Sequence, residues 1–318
     1  MSGHFDDTTV ERLRQLVRDD VPDDSRYRIA EQIGQGGMGA VYRADDLALN
    51  RPVAMKVLRD GCMNADSVDR ILREAQVIAR LEHPGIVPVH DAGRLPDGRV
   101  YYIMKLVKGR RLDEYADSPA SIHERLRVFE RVCETVAFAH ARRVIHRDLK
   151  PQNVMVGEFG EVLVLDWGVA KVVHEPMGDD PSIAADSLGS MGDARQTAYG
   201  TILGTPAYMP PEQARGEVER IDERSDVFAL GGVLYFMLTG KPPRTTPGNA
   251  AAELVLVPPR QLNREIPRRL ESICTKALSA EPEQRYASAA ELSADIVRYL
   301  NGQAVLAHRE GLHERVAR

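Results

Sequence analysis

From residue 27 the apolar positions come in short runs separated by turns. The runs 27-YRIAEQIG-34, 40-AVYRAD-45, 52-PVAMKVL-58, 86-IVPVHDAG-93 and 100-VYYIMKLV-107 have the length and the β-branched and aromatic content of strands. Asp97-Gly98, between the last two, predicts a hairpin turn. One helical stretch interrupts them over 66–81, where Val68, Ile71, Leu72, Ala75, Ile78 and Ala79 recur at helical spacing. After Gly109 the helical period takes over. Residues 122–142 read as a long amphipathic helix, and 225–239 are apolar nearly all round, which predicts a buried one. Further helices fit 267–278 and 288–300. Between these lies 174–200, rich in Gly, Ser, Asp and Pro, whose pattern predicts a mobile segment. Ahead of the strands, Thr8 and Glu11 resemble a capping box, with Val10, Leu13, Leu16 and Val17 on one helical face; a short helix and a frayed tail both fit residues 1–26. The pattern is α+β: a small β-rich unit, then a larger, mostly helical one.

Composition narrows the function classes. The chain has 318 residues, 43% of them hydrophobic, enough for two lobes with sizeable cores. A formal net charge of −5 with both signs well mixed gives no basic face for nucleic acid. Cys62, Cys133 and Cys274 are far apart and lack metal or redox spacing, as expected of reduced thiols in a cytosolic protein. No apolar run is long enough to cross a bilayer, and MSGHFDDTTV lacks a signal-peptide core. The expected setting is the cytoplasm, either alone or as the cytosolic part of a longer membrane-anchored protein. The basic end 308-HREGLHERVAR-318 is compatible with a helix.

The chemistry concentrates in four stretches. In 144-VIHRDLKPQNVMV-156 an Asp, a Lys and an Asn stand between apolar runs. Asp148 could accept a hydroxyl proton, Lys150 could steady a transferring phosphoryl group and Asn153 could hold a metal; a plain polar hairpin loop is the competing reading. Gly34, Gly36 and Gly39 form G-x-G-x-x-G between two strands, and glycines let backbone N–H groups approach phosphates. A dinucleotide fingerprint would need a helix next, and a strand follows instead. In 53-VAMK-56 the lysine could bridge phosphates, with Glu74 on the lone helix of this unit as its natural partner. The strand 162-VLVLDWG-168 ends in Asp166, an oxygen ligand suited to Mg²⁺.

Taken in order, GQGGMG, VAMK, Glu74, HRDLKPQN, DWG, GTPAYMPPE, SDVFALG and Arg285 resemble the eukaryotic-type protein kinases, most of all the bacterial serine/threonine group, over about 27–300. The resemblance implies a bilobal protein-kinase-like fold, ATP and Mg²⁺ (with Mn²⁺ as an alternative metal), and transfer of the γ-phosphoryl group to Ser/Thr hydroxyls of proteins. Ile33, Gly34, Gln35, Gly36, Gly37, Met38 and Gly39 would cover the phosphates. Lys56 would contact them and pair with Glu74. Val41, Ala54 and Met155 would sandwich the adenine, Met104 would sit behind it, and Lys105, Leu106 and Val107 would form the hinge. Asp148 would orient the substrate hydroxyl, Lys150 would neutralise the phosphoryl group, and Asn153 and Asp166 would bind the metal. Thr205 would bond to Asp148 and Lys150, and Asp226 would hold the backbone of the His146–Asp148 loop. Arg147 would welcome a phosphate on the activation segment 166–212, at Thr197 or Thr201 rather than at Ser182, Ser187 or Ser190.

Three positions depart from the common pattern. Trp167 replaces the usual Phe after the metal-binding Asp and would stack with Ile78, Val89 and His146. Pro210 precedes Pro211-Glu212, whose Glu212 can still pair with Arg285. Lys105 stands at a hinge position where an acid is frequent. The implied divisions are an extension (1–26), an N-lobe (27–107), a C-lobe (108–300) and a C-terminal segment (301–318). The implied partners are protein substrates and a transient homodimer for trans-autophosphorylation, with no nucleic acid and no membrane contact. A weakly catalytic, nucleotide-binding scaffold is the alternative, and a small-molecule kinase is a third reading opposed by the peptide platform GTPAYMPPEQARG.

Overall fold

The computed structural model describes residues 26–35, 39–58, 68, 72, 75–116, 120–167, 171–172, 207–243 and 256–308. The readings made above for residues 1–25, for Gly36–Met38, for Cys62 and for Glu74 lie outside them, as do Thr197, Thr201, Thr205 and the serines of 174–200.

A five-stranded antiparallel sheet forms the N-terminal part, in the order β1-β2-β3-β5-β4. Its strands are β1 (Tyr27–Gln35), β2 (Gly39–Asp46), β3 (Arg51–Leu58), β4 (Val89–Arg94) and β5 (Val100–Lys105). Two expected boundaries shift. Ile86–Pro88 stay out of β4, because Ile86 bridges instead to Val164 of the other lobe. β5 stops at Lys105, whose N–H is taken by the Pro88 carbonyl, and the chain leaves the sheet before Leu106 and Val107. Asp97 and Gly98 make the expected turn: Gly98 has φ 86°, and its N–H donates to Leu95 O. A left-handed φ is easy for glycine and strained for most residues.

The period of two along β3 and β5 divides their side chains between two environments. Val53, Met55 and Val57 join Tyr101, Ile103 and Ala44 in a small cluster on one face of the sheet. Ala54 and Lys56 therefore point to the opposite face, with Met104 and Tyr102 directly across from them. On this second face runs helix α1 (75–79), where Ala75 and Ile78 are buried.

The C-terminal part is mostly helical. Its helices are α2 (Leu112–Ala116), α3 (Ile122–Ala141), α4 (Pro211–Ala214), α5 (Glu223–Thr239), α6 (Pro259–Leu262), α7 (Arg268–Ala277) and α8 (Ala289–Leu300). Ser121 caps α3 with a full capping box: its hydroxyl accepts from Glu124 N while Glu124 Oε2 accepts from Ser121 N. α5 is the central post. Asp222 caps its start, Gly240 ends it at φ 68°, and it is buried on nearly every side. Gly231 lets α7 come close, since a Cβ there would lie 2.8 Å from that of Ala277. Cys133 and Cys274 are buried free thiols, acting as small packing residues. Short strands sit at the junction of the lobes: β6 (Gly109–Arg111), β8 (Val154–Gly157) and β9 (Val162–Val164), the last inside the expected strand 162–168, form one sheet, and β7 (Val144–Ile145) pairs with β10 (Lys171–Val172).

A buried ion pair ties the far end of this lobe together. Arg285 donates to Glu212 Oε1 (2.7 Å) and Oε2 (2.8 Å), with both side chains fully enclosed. The guanidinium also donates to the carbonyls of Ser279, Arg224 and Ala280, and Ser225 Oγ donates to Glu212 Oε1. Burial alone would raise the Glu212 pKa, but the Arg285 hydrogen bonds and charge prevail and hold it below the usual range. A depressed folded-state pKa means that this stabilisation is complete above the ordinary carboxylate range and fades as pH falls through the lower folded value. Glu212→Ala would strand a buried cation, and we expect a loss of about 3–5 kcal/mol by urea denaturation at neutral pH. The gap to wild type should narrow as the pH is taken below 4.

Candidate active site

The two parts enclose a cleft of roughly 1020 Å³. Ile33, Gly34, Gln35, Gly39, Val41, Ala54 and Lys56 line it from the sheet; Met104, Lys105, Leu106 and Val107 from the connection; and Asp148, Lys150, Asn153, Met155 and Asp166 from the helical lobe. Every sequence-predicted site residue among the described ones thus lines one cavity. Alternation along β3 aims Ala54 and Lys56 into it, and the antiparallel register puts Val41 opposite Lys56. Among the described residues nothing bonds to the backbone of Leu106 or Val107, so the hinge can offer those groups to a planar ligand's edge.

The loop 146–153 carries the polar groups, and it is not a hairpin: β7 and β8 on either side of it pair with other strands. A buried carboxylate holds it. Asp226 Oδ2 accepts from His146 N (2.8 Å) and Oδ1 from Arg147 N (2.9 Å). His140 Nε2, from α3, meets Oδ2 at 2.8 Å, a partner that sequence reasoning missed because nothing in the helical period marks it. Burial would raise the Asp226 pKa; His140, His146 and the backbone donors overcome that and keep it ionised. Arg147 adopts φ 68°, and Gln213 Nε2 donates to its carbonyl. Its Nε is buried without a partner among the described residues, and burial lowers its pKa.

Within the loop the functional groups bond to one another. Lys150 Nζ donates to Asp148 Oδ2 at 2.7 Å. Asn153 Nδ2 donates to Asp148 O (2.8 Å) and to its Oδ2 (3.3 Å). Asp148 Oδ2 is therefore committed to the loop, and among the described residues nothing bonds to Oδ1. The Asn153 amide is likewise turned so that nothing among the described residues bonds to its oxygen. Across the cleft, Lys56 Nζ donates to Asp166 Oδ1 at 3.0 Å. The Asp166 side chain is 47% open to the cleft, with protein packed around the rest. That packing raises its pKa, yet Lys56, with smaller help from His146 and Lys150, holds it below the usual carboxylate range. Asp166 has φ 61°, a left-handed value, and from that backbone position its carboxylate reaches Lys56.

The residues present fit a hard cation. Among the described residues nothing bonds to Asn153 Oδ1 or Asp166 Oδ2, and both residues line the cleft. Among the described residues no cluster of three or more His, Cys, Asp and Glu side chains forms a closed metal cage. Two protein oxygens with the remaining positions left to water and phosphate is what Mg²⁺ favours.

Trp167 is buried and tilted against His146, with ring centroids 4.6 Å apart, and belongs to the same large core cluster as Ile78, against which Val89 also packs. The lining also includes Arg43, Arg111, Glu114 and Gln152, which motif reading passed over. Gln152 lies within the loop motif itself and donates to Asp113, so position alone could have flagged it.

Asp226→Asn would turn an amide donor toward backbone N–H groups. We expect a loss of about 2–4 kcal/mol in chemical denaturation, since a stranded buried donor costs about 1–3 kcal/mol. Asp148→Ala, in the same loop, should change stability by less than about 1 kcal/mol.

Comparison with known proteins agrees with this geometry. Residues 27–296 match the family described as protein kinase domain. The chain is 39% identical over 290 residues to the serine/threonine-protein kinase PknB of Mycolicibacterium smegmatis, covering 88% of this chain and 44% of that protein. It is 38% identical over 312 residues to the serine/threonine-protein kinase PknD of Chlamydia felis, covering 92% of this chain and 33% of that one. It therefore spans under half the length of these relatives. The crystal structure of the PknI kinase domain of Mycobacterium tuberculosis superimposes with a TM-score of 0.63 at 24% identity, covering 88% of this chain and 97% of that one, a likeness of fold. With the family match spanning most of the sequence, the chain belongs to the protein kinase domain family.

Proposed function

We propose that the chain is a serine/threonine protein kinase that uses Mg²⁺-ATP. The observation that carries this reading is the meeting, in one cleft, of the Lys56–Asp166 pair and the Asp148–Lys150–Asn153 cluster. Phosphoryl transfer asks a protein mainly for positioning and charge stabilisation. Bound Mg²⁺-ATP would supply the phosphoryl group and the metal's charge. Asn153 and Asp166 would hold the metal through Oδ1 and Oδ2 respectively, and Lys56 would orient the phosphates. Lys150 would place its charge beside the phosphoryl group while keeping Asp148 in position. Asp148 Oδ1 would align the acceptor hydroxyl and take its proton late, because a carboxylate with an ordinary pKa near 4 is a weak base.

A lysine beside Asp148 suits a Ser/Thr hydroxyl, and protein substrates accord with the relatives' names. Arg147, whose buried Nε next to Asp148 has no partner among the described residues, supports a phosphate-dependent activation segment, with Thr197 and Thr201 as its acceptors. Among the described residues no helix is long and apolar enough to cross a membrane.

Purified protein with Mg²⁺-ATP should phosphorylate itself and a Ser/Thr protein substrate, and Asp148→Asn should reduce the rate at least about 10³-fold. Unchanged activity in that variant, or phosphorylation of small alcohols alone, would defeat the reading. After incubation with ATP, intact-mass spectrometry should show added phosphate that falls in Thr197→Ala and Thr201→Ala. A faster rate per molecule at higher protein concentration would mark transfer between two copies. Full activity with no added phosphate would rule out the activation-segment proposal.

A further inference from the structure

Trp167, which stands where the kinase resemblance implies a phenylalanine, makes a bond that a phenylalanine has no atom to make. Trp167 Nε1 donates to the carbonyl of Val164, 3.3 Å away, in a buried setting. Val164 is a fixed anchor. It pairs with Val154 across β8 and β9, its N–H donates to Gly85 O, and it bridges to Ile86. The intervening residue is held as well: Leu165 N donates to Asn153 O at 2.8 Å. Asp148 N donates to His146 Nδ1, which leaves the imidazole proton on Nε2 and directs it to Leu165 O at 3.0 Å. Asp166 then stands between two clamped residues, at φ 61°.

That backbone conformation is costly for a residue with a Cβ, and it persists only where the surroundings enforce it. On the Leu165 side the enforcement comes from His146 and Asn153. On the other side it comes from the indole, pinned by its N–H to Val164 and by its tilted contact with the His146 ring. We infer that Trp167 is a positioning residue: its indole N–H closes a ring from Val164 to Trp167 that locks the Asp166 carboxylate toward Lys56, ready to bind metal before any nucleotide arrives. The inference rests on the proposed Mg²⁺-ATP reading for its purpose, but the lock itself is a property of the free protein.

Trp167 is the only tryptophan in the chain, so its fluorescence reports on this loop alone. In the nucleotide-free protein it should emit at the short wavelengths of a buried indole and resist quenching by acrylamide. Solvent-like emission with ready quenching would overturn the proposal without any variant. Trp167→Phe keeps an aromatic ring and removes the N–H. A buried neutral hydrogen bond biases a local equilibrium by roughly 2- to 13-fold. Hydrogen exchange of the nucleotide-free variant should therefore lose roughly that much protection in peptides covering 162–168, with helix 223–239 unchanged. Unchanged protection in 162–168, or equal loss throughout the helical lobe, would show that the ring merely fills space. A second readout separates positioning from packing. The gain in ADP affinity on adding Mg²⁺ should shrink by the same factor in Trp167→Phe, with metal-free ADP binding unaltered. A fall in both affinities alike would refute the positioning role. If wild type showed the local protection but bound no nucleotide, the lock would stand and the kinase reading would fail.

Discussion

One buried carboxylate sets the geometry of the site. Asp226 is fully enclosed on the central helix and accepts from two successive backbone N–H groups of the 146–153 loop. A charge in that position is tolerable only with donors on both oxygens, and the loop supplies them. The dependence is mutual, because the loop has no regular secondary structure of its own at His146 and Arg147 to satisfy those groups. Everything downstream inherits the placement. His146 reaches Leu165, Asn153 reaches Asp148, and Lys150 closes on the same carboxylate. Polar groups that would drift in solution are held by bonds to one another and to a rigid helix, as preorganised catalysis requires.

The opposite wall is positioned by simpler physics. A strand sends alternate side chains to opposite faces, so the apolar cluster of Val53, Met55 and Val57 leaves Lys56 no direction but the cleft. Lys56 then meets Asp166 across the gap between the lobes. The two walls are thus coupled by an ion pair that spans 110 residues of sequence, and the lowered pKa of Asp166 is its electrostatic trace.

Much of this was legible in the sequence because local periodicity and tertiary demand agree. The helices at 122–141 and 223–239 and the turn at Asp97-Gly98 follow from spacing and turn chemistry alone. That the described candidate residues would share one cleft was legible through motif order, as was the partnership of Asp226 with the loop. What escaped depends on contacts between distant segments. β4 begins late because Ile86 is drawn to Val164, a bridge between residues 78 positions apart that no local pattern encodes. The two- and three-residue strands β6 and β10 are too short to carry a period. His140 looks like any half-apolar position on an amphipathic helix until Asp226 is brought beside it. The indole bond of Trp167 was equally invisible: sequence marks the substitution, and only the fold shows the carbonyl it finds.

The central claim is that the protein alone sets the catalytic geometry, with Asp226 as its keystone. The most direct measurement is a crystal structure with Mg²⁺ and a non-hydrolysable ATP analogue. The claim predicts metal oxygen contacts from Asn153 and Asp166, a terminal phosphate facing Lys150 and Asp148, and a 146–153 loop still bonded to Asp226 as it is without ligand. A nucleotide seated elsewhere, or a loop that must leave Asp226 to reach the phosphate, would contradict it.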